Sequence, residues 1–192
     1  MFYLTRPTSD QIHKLIDEQR EQPFTYLAVG ATQTLAPAGF TVDHNRIQIG
    51  AGYEAFQRAR LAIQRWEMFR LGWVELCWPH TPIEEAQVVA VLVHHLGFWS
   101  VNPARIVYTV DNSTDEFERY GFAYGTLPAH GECGEERFTV EWSKHDGSVW
   151  YDLFAFSKPN HVLARIGYPF TRKFQKRFAQ DSKRAMADFV QP

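Results

Sequence analysis

The sequence predicts an α+β fold in which a curved antiparallel sheet of about six to seven strands wraps a long C-terminal helix, and three observations carry that prediction. Six strand-length segments between Trp73 and Ser157 are separated by short turn signals, and short connections between successive strands demand antiparallel pairing. A long amphipathic segment, Thr171 to Val190, follows them. A sheet with one apolar face must cover it, and this helix is the only long amphipathic element that arrives after the strands. A chain of 192 residues with 45% hydrophobic and 15% aromatic content can bury one substantial core. The expectation is therefore one domain over 1–192, with residues 1–40 an N-terminal helix and extension and 41–192 the sheet-and-helix core.

Taken in order, Ser9 is a candidate N-cap for a first helix carrying Ile12, Leu15 and Ile16 at i, i+3 and i+4, ending before Pro23. Thr25 to Gly39 has no sustained period and reads as a short extended piece and loop. Arg46 to Ile49 is a short strand. Gly50 and Gly52 then turn the chain into a helix from about Tyr53 to Phe69, with Phe56, Ala59, Ile63, Trp66 and Phe69 as its apolar stripe. The strands follow at 73–78, 87–96, 104–110, 121–126, 135–142 and 149–157. NP at Asn102, DNS at Asp111, the PAHGECG loop and HDG at His145 punctuate them. An irregular passage follows Pro159. The closing helix carries Phe174, Phe178 and Phe189, with Arg172, Lys173, Lys176, Arg177, Lys183 and Arg184 as a solvated basic face.

The segment 120–142, YGFAYGTLPAHGECGEERFTVEW, holds the most chemistry. Alternation puts Phe138, Val140 and Trp142 on one face and Glu135, Arg137, Thr139 and Glu141 on the other. Glu136 falls on the apolar face. A carboxylate there is costly unless it is bonded, paired or part of a site.

This segment, with YLAVGAT (Tyr26–Thr32), GAGYEAFQRARLAIQRW (Gly50–Trp66), NPARIV (Asn102–Val107) and AFSKP (Ala155–Pro159), closely resembles the bacterial and plant family catalogued as domain of unknown function 1990, over roughly residues 20–190. The resemblance implies no established activity. The element order is similar to the helix-grip fold of START-type lipid-transfer proteins, birch-pollen-allergen relatives and aromatic polyketide cyclases, which implies a sheet wrapped on a helix around an apolar cavity.

Several function classes are disfavoured. A net charge of −2 gives no global reason to bind nucleic acid. No apolar run approaches the length of a membrane span, and the start of the chain lacks a secretory pattern, so a soluble protein is expected. Two cysteines, Cys77 and Cys133, build no disulfide framework and point to the cytoplasm. GAGYEA with Glu75 downstream mimics a dinucleotide fingerprint, but the preceding strand is too short and polar for a parallel doubly wound sheet. The glycines read instead as a tight turn. His94 and His95 point to opposite faces of a strand and cannot easily share a metal, and Cys77–His80 and His130–Cys133 lack companion ligands, so no metal and no cofactor are expected. His130 reads as an exposed loop residue. Cys133 lies three residues from it, without the fixed electropositive setting an activated thiol needs.

What remains is a cavity. Trp73, Trp99, Tyr108, Tyr124, Thr126, Glu136, Phe138 and Phe178 are the candidate ligand-binding residues, an apolar lining with a few polar groups. The leading expectation is binding of a hydrophobic or amphipathic small molecule between the sheet and the last helix. The alternative is a cofactor-independent cyclase, dehydratase or hydrolase with Glu136 as general acid/base and Tyr124 or Tyr108 orienting a carbonyl or hydroxyl. A third reading makes the basic helix a protein-contact face. One acid alone would favour binding; a convergent Glu, Tyr and His would favour catalysis.

Overall fold

The computed structural model describes residues 1–160 and 168–191. The irregular passage expected after Pro159 falls largely on residues 161–167, outside the described residues. The strands are β1 (Phe2–Tyr3), β2 (Thr41–Ala51), β3 (Val74–Leu76), β4 (Val88–His95), β5 (Phe98–Ser113), β6 (Phe117–Thr126), β7 (Glu132–Ser143) and β8 (Ser148–Pro159). The helices are α1 (Ser9–Gln19), α2 (Tyr53–Gln64) and α3 (Tyr168–Val190). The sheet is antiparallel throughout, in the order β2-β8-β7-β6-β5-β4-β3, with β1 added beside β5. It curls into a half-barrel around α3, the helix-grip arrangement. Bulges at Gln48/Gly50 and Ile106/Tyr108 interrupt the ladders, a device that adds local bend and twist.

Local chemistry moves several boundaries. Thr8 caps α1, one residue before Ser9, and forms a reciprocal capping box with Gln11. Strand β2 runs eleven residues, far beyond Arg46–Ile49. It is an edge strand whose exposed row includes His44, Arg46 and Gln48, so apolar content marks only part of it. Helix α2 stops at Gln64, because Trp66 turns left-handed (φ 56°) and starts a 3-10 turn over Glu67–Phe69. The buried Trp66 indole donates to the Thr81 carbonyl at 2.9 Å.

Gly50 and Gly52 form the strand-to-helix turn. A Cβ at Gly50 would come 2.9 Å from Ala55 Cβ and 3.2 Å from Val190 Cγ1, and Gly52 adopts φ 83° while its N–H donates to Gly147 at 2.7 Å. The strand before this turn pairs antiparallel with β8, so no parallel nucleotide-binding unit is built there.

The concave face holds the main core. Phe56, Ala59, Ile63 and Trp66 from α2 and its end pack on Phe122, Phe138, Val140 and Tyr151. Helix α3 closes this layer with Ala179, Ser182, Met186 and Val190 as its buried line. Phe178 and Phe189 pack against that core only partly buried, and Phe174 meets Trp73 and His95 instead. The Tyr151 hydroxyl bonds Ser182 Oγ at 2.8 Å, tying sheet to helix.

On the opposite face, α1 covers Val88, Ala90, Leu92, Val101 and Leu127. The segment after α1 is clasped by Glu135, which accepts from the Tyr26 hydroxyl (2.7 Å), the Gly30 N–H (2.7 Å), the Thr32 N–H (2.9 Å) and the Thr32 hydroxyl. Arg137 donates to the Thr32 carbonyl (2.8 Å) and pairs with Asp152 (3.0 Å). Buried polar groups persist only when bonded, and this cluster meets that condition for Glu135.

Candidate functional site

Cross-strand register builds the site. Asp43, Ala155, Glu136, Tyr124 and Ile106 lie directly opposite one another on β2, β8, β7, β6 and β5, and a row of facing residues shares one side of the sheet. That side is the concave one. Between it and α3 lies a cavity of about 960 Å³. Phe69, Val74, Val91, Val93, Leu153 and Phe178 give it an apolar lining.

One end of the cavity is polar. The Tyr124 hydroxyl donates to Glu136 Oε2 at 2.8 Å. Glu132, two strand periods before Glu136 on the same face, accepts from Gln175 of α3, which also donates to Ser157 Oγ at 3.0 Å. Arg172 forms a two-pronged pair with Asp43 (2.5 and 2.6 Å) and reaches Gln175 at 2.6 Å. The Oε1 atom of Glu132 is buried with no hydrogen-bond partner.

Burial sets the protonation states. Loss of water pushes the Glu136 carboxyl up to about 7; the Tyr124 hydrogen bond opposes this, while the charges of Glu132 and Asp43 add to it. Glu132 is also raised by burial, held partly down by hydrogen bonds from Ser157 and Gln175 and by Arg172. Tyr124 is held far above its ordinary value by burial and then by Glu136, so it remains a hydroxyl donor. His130, expected in solvent, lines the cavity instead. Its Nδ1 accepts the Glu132 N–H at 2.9 Å, and burial lowers its pKa to about 3, leaving a neutral imidazole.

Of the residues singled out from the sequence, Trp73, Tyr124, Thr126, Glu136 and Phe178 line the cavity. Trp73 sits toward α3, its indole donating to Asp181 at 2.9 Å and its ring under Arg177. The Thr126 hydroxyl is engaged with Gly134 and Thr25. Phe138 lies beneath the lining, fully buried against Phe69, Phe122 and Tyr124.

Trp99 and Tyr108 are on the other face. β5 begins at Phe98, and its alternation turns Ser100 and Asn102 to the cavity and Trp99 outward, where it stacks on His94 at 4.3 Å. The bulge between Ile106 and Tyr108 breaks the alternation. Tyr108 therefore pairs with Ala123 and bonds Thr32 at 2.6 Å on the clasped side.

The sequence reading missed Glu132, His130, Asp43, Arg172 and Gln175. Parity with Glu136 was a usable signal for Glu132. The others are brought in by tertiary packing. His94 and His95 do face opposite ways, the latter toward Phe174, and among the described residues no group of three His, Cys, Asp or Glu could hold a metal. Cys133 is buried on the clasped face with its thiol directed at the Thr25 carbonyl.

Residues 25–185 match the family model described as domain of unknown function (DUF1990). The chain belongs to this family. It is 36% identical to a UPF0548 protein of Dictyostelium discoideum, across 99% of this chain and 96% of that protein. It is 34% identical to a UPF0548 protein of Deinococcus radiodurans, across 97% of each. Among solved structures, a hypothetical protein of Helicobacter pylori aligns with a TM-score of 0.48 at 10% identity, covering 86% of this chain and 98% of that one. Norcoclaurine synthase of Thalictrum flavum aligns at 0.45 and 9% identity, covering 81% and 96%. The span matched by the family model includes Asp43, Glu132 and Glu136 of the cavity and the Tyr26–Glu135 clasp. No helix among the described residues is long and apolar enough to cross a membrane.

Proposed function

We propose that this protein binds a hydrophobic or amphipathic small molecule in the cavity between the sheet and α3, without covalent chemistry. The observation that carries the reading is a largely apolar space of about 960 Å³ with a part-buried Tyr124–Glu136 pair in its wall. Ligand pockets combine mostly apolar walls with a few polar groups that fix orientation, and this cavity has that composition at the upper end of the usual size. Its test is uptake of an environment-sensitive apolar dye by the wild type and by Ala155→Phe, which fills the space beside Glu136. One bound dye, lost in the variant, is the expected result. Equal uptake by both would mean the dye reports another surface.

A second reading, a cofactor-independent enzyme, is favoured by one observation. Glu136 sits near neutral pKa beside a hydroxyl donor, the poise a general acid/base needs. His130 shares the cavity, yet its Nδ1 is taken by backbone and its imidazole stays neutral. Chemical change of a bound compound by the wild type but not by Glu136→Gln would favour catalysis over binding. We further take residues 1–192 as one domain, the first 40 clasped onto the rest through Glu135, in a soluble cytoplasmic protein whose two cysteines stay reduced.

A further inference from the structure

We infer that the cavity's ligand is an amphipathic amine, its protonated nitrogen seated against Glu136 in the negative field of Glu132 and its apolar body lodged among Phe69, Trp73 and Phe178. The inference rests on the binding reading above and gives its ligand a chemical class.

The first argument is the pattern of unused hydrogen-bonding atoms. Glu136 spends Oε2 on Tyr124, and no hydrogen bond from a described residue reaches its Oε1. Glu132 spends Oε2 on Gln175, and its Oε1 is buried without a partner. In the ionised carboxylates both remaining atoms are acceptors. For Glu132 Oε1, which is buried, the missing donor is a standing cost that a ligand relieves only by bringing an N–H or O–H.

Sign of charge separates these. Around Glu136 stand Tyr124 on β6, Glu132 on its own strand, Tyr151 on β8, Asp43 on β2, neutral His130 in the loop before β7, and Arg172, Lys176 and Lys183 on α3. No cation among the described residues is hydrogen-bonded to Glu132 or Glu136. Arg172 is committed to Asp43, Lys183 donates to Asn45 at 3.3 Å, and Lys176 is solvent-exposed. Two neighbouring carboxylates with no cation bonded to either attract a cation and repel a carboxylate or phosphate. The aromatic rings of the wall add in the same direction, since an ammonium is drawn to ring faces.

The burial of Glu136 makes the idea testable by pH. An empty cavity near neutrality holds a partly protonated Glu136, and only the ionised form pairs with ammonium. Amine affinity should therefore rise as pH rises through about 7 and level off while the amine remains charged.

The experiment compares 4-phenylbutylamine, 4-phenylbutanol and 4-phenylbutyric acid as competitors of the dye, between pH 6 and 8. The amine should bind about tenfold tighter than the alcohol at pH 8, the low end for a hydrogen bond to a charged group. The acid should bind weakest. The amine's advantage should shrink on acidification and vanish in Glu136→Gln, with thermal unfolding checking that the variant is folded. Glu132→Gln is the second variant, expected to reduce the advantage without abolishing it. An alcohol or acid that binds as tightly as the amine, or an advantage that survives in Glu136→Gln, overturns the amine assignment and leaves the cavity reading standing. No binding by dye or any competitor overturns both.

Discussion

Replacing Glu135 with Ala should be among the most damaging single changes outside the main core. The carboxylate accepts from the Tyr26 hydroxyl and the Thr32 N–H, both buried, from the part-buried Gly30 N–H, and from the Thr32 hydroxyl. The Thr32 hydroxyl keeps Tyr108 as a partner after the change; the other three donors lose theirs. Each orphaned buried donor costs about 1–3 kcal/mol, and water entering the vacated space reduces the total, so the expected loss is about 3–5 kcal/mol. That is a large part of the roughly 5–15 kcal/mol that holds a domain together. Urea unfolding followed by tryptophan fluorescence measures it. Limited proteolysis should show new cleavage in residues 24–36 of the variant, because that segment hangs on these bonds. A loss under about 1 kcal/mol, with the segment still protected, would refute the clasp as an energetic feature.

The remaining predictions use the same logic. For Glu136, a folded pKa of about 7 against an ordinary 4.5 means the folded state holds the proton more tightly, so its stabilising contribution is full below pH 4.5 and is lost as pH rises to 7. Glu136→Gln should gain about 2–3 kcal/mol relative to wild type between pH 4.5 and 8, and a constant difference across that range would contradict the burial account. Phe178→Ala should cost only about 1–2 kcal/mol and enlarge dye uptake, because Phe178 borders the cavity, whereas fully buried Met186→Ala should cost about 2–5 kcal/mol in urea unfolding. The reverse order would mean the cavity is closed in solution. Gly125→Ala puts a Cβ 2.1 Å from the Tyr26 hydroxyl and 2.9 Å from the Phe24 ring, so it should lower the midpoint of thermal unfolding and expose the same 24–36 segment.

Strand alternation carried much of this architecture into view. Glu136 on an apolar face of β7 follows from period 2 alone, and the closing helix from the order of elements, whereas the register that sets Glu136 opposite Tyr124 is given by the β6–β7 pairing. What alternation cannot reveal is an inserted residue. The bulge at Val107 reverses Tyr108, which then serves the clasp and not the cavity. β2 stayed mostly hidden because one side of an edge strand faces water and its polar residues mimic a loop. Trp66 ends α2 by a left-handed turn that no local breaker residue announces. His130 looked exposed because its neighbours are glycine and alanine; its burial comes from the cavity wall closing around the loop. YLAVGAT and GECGEERF, over a hundred residues apart, meet as Tyr26, Gly30 and Thr32 on Glu135, a pairing that local patterns cannot contain.

The most direct test of the cavity claim is native mass spectrometry of the protein purified from its own host, beside Ala155→Phe prepared in the same way. The account predicts a wild-type species carrying one small organic adduct, released on denaturation and absent from the variant with the filled cavity. An adduct retained undiminished by Ala155→Phe, or wild-type protein that carries none and takes up no apolar dye, would contradict it.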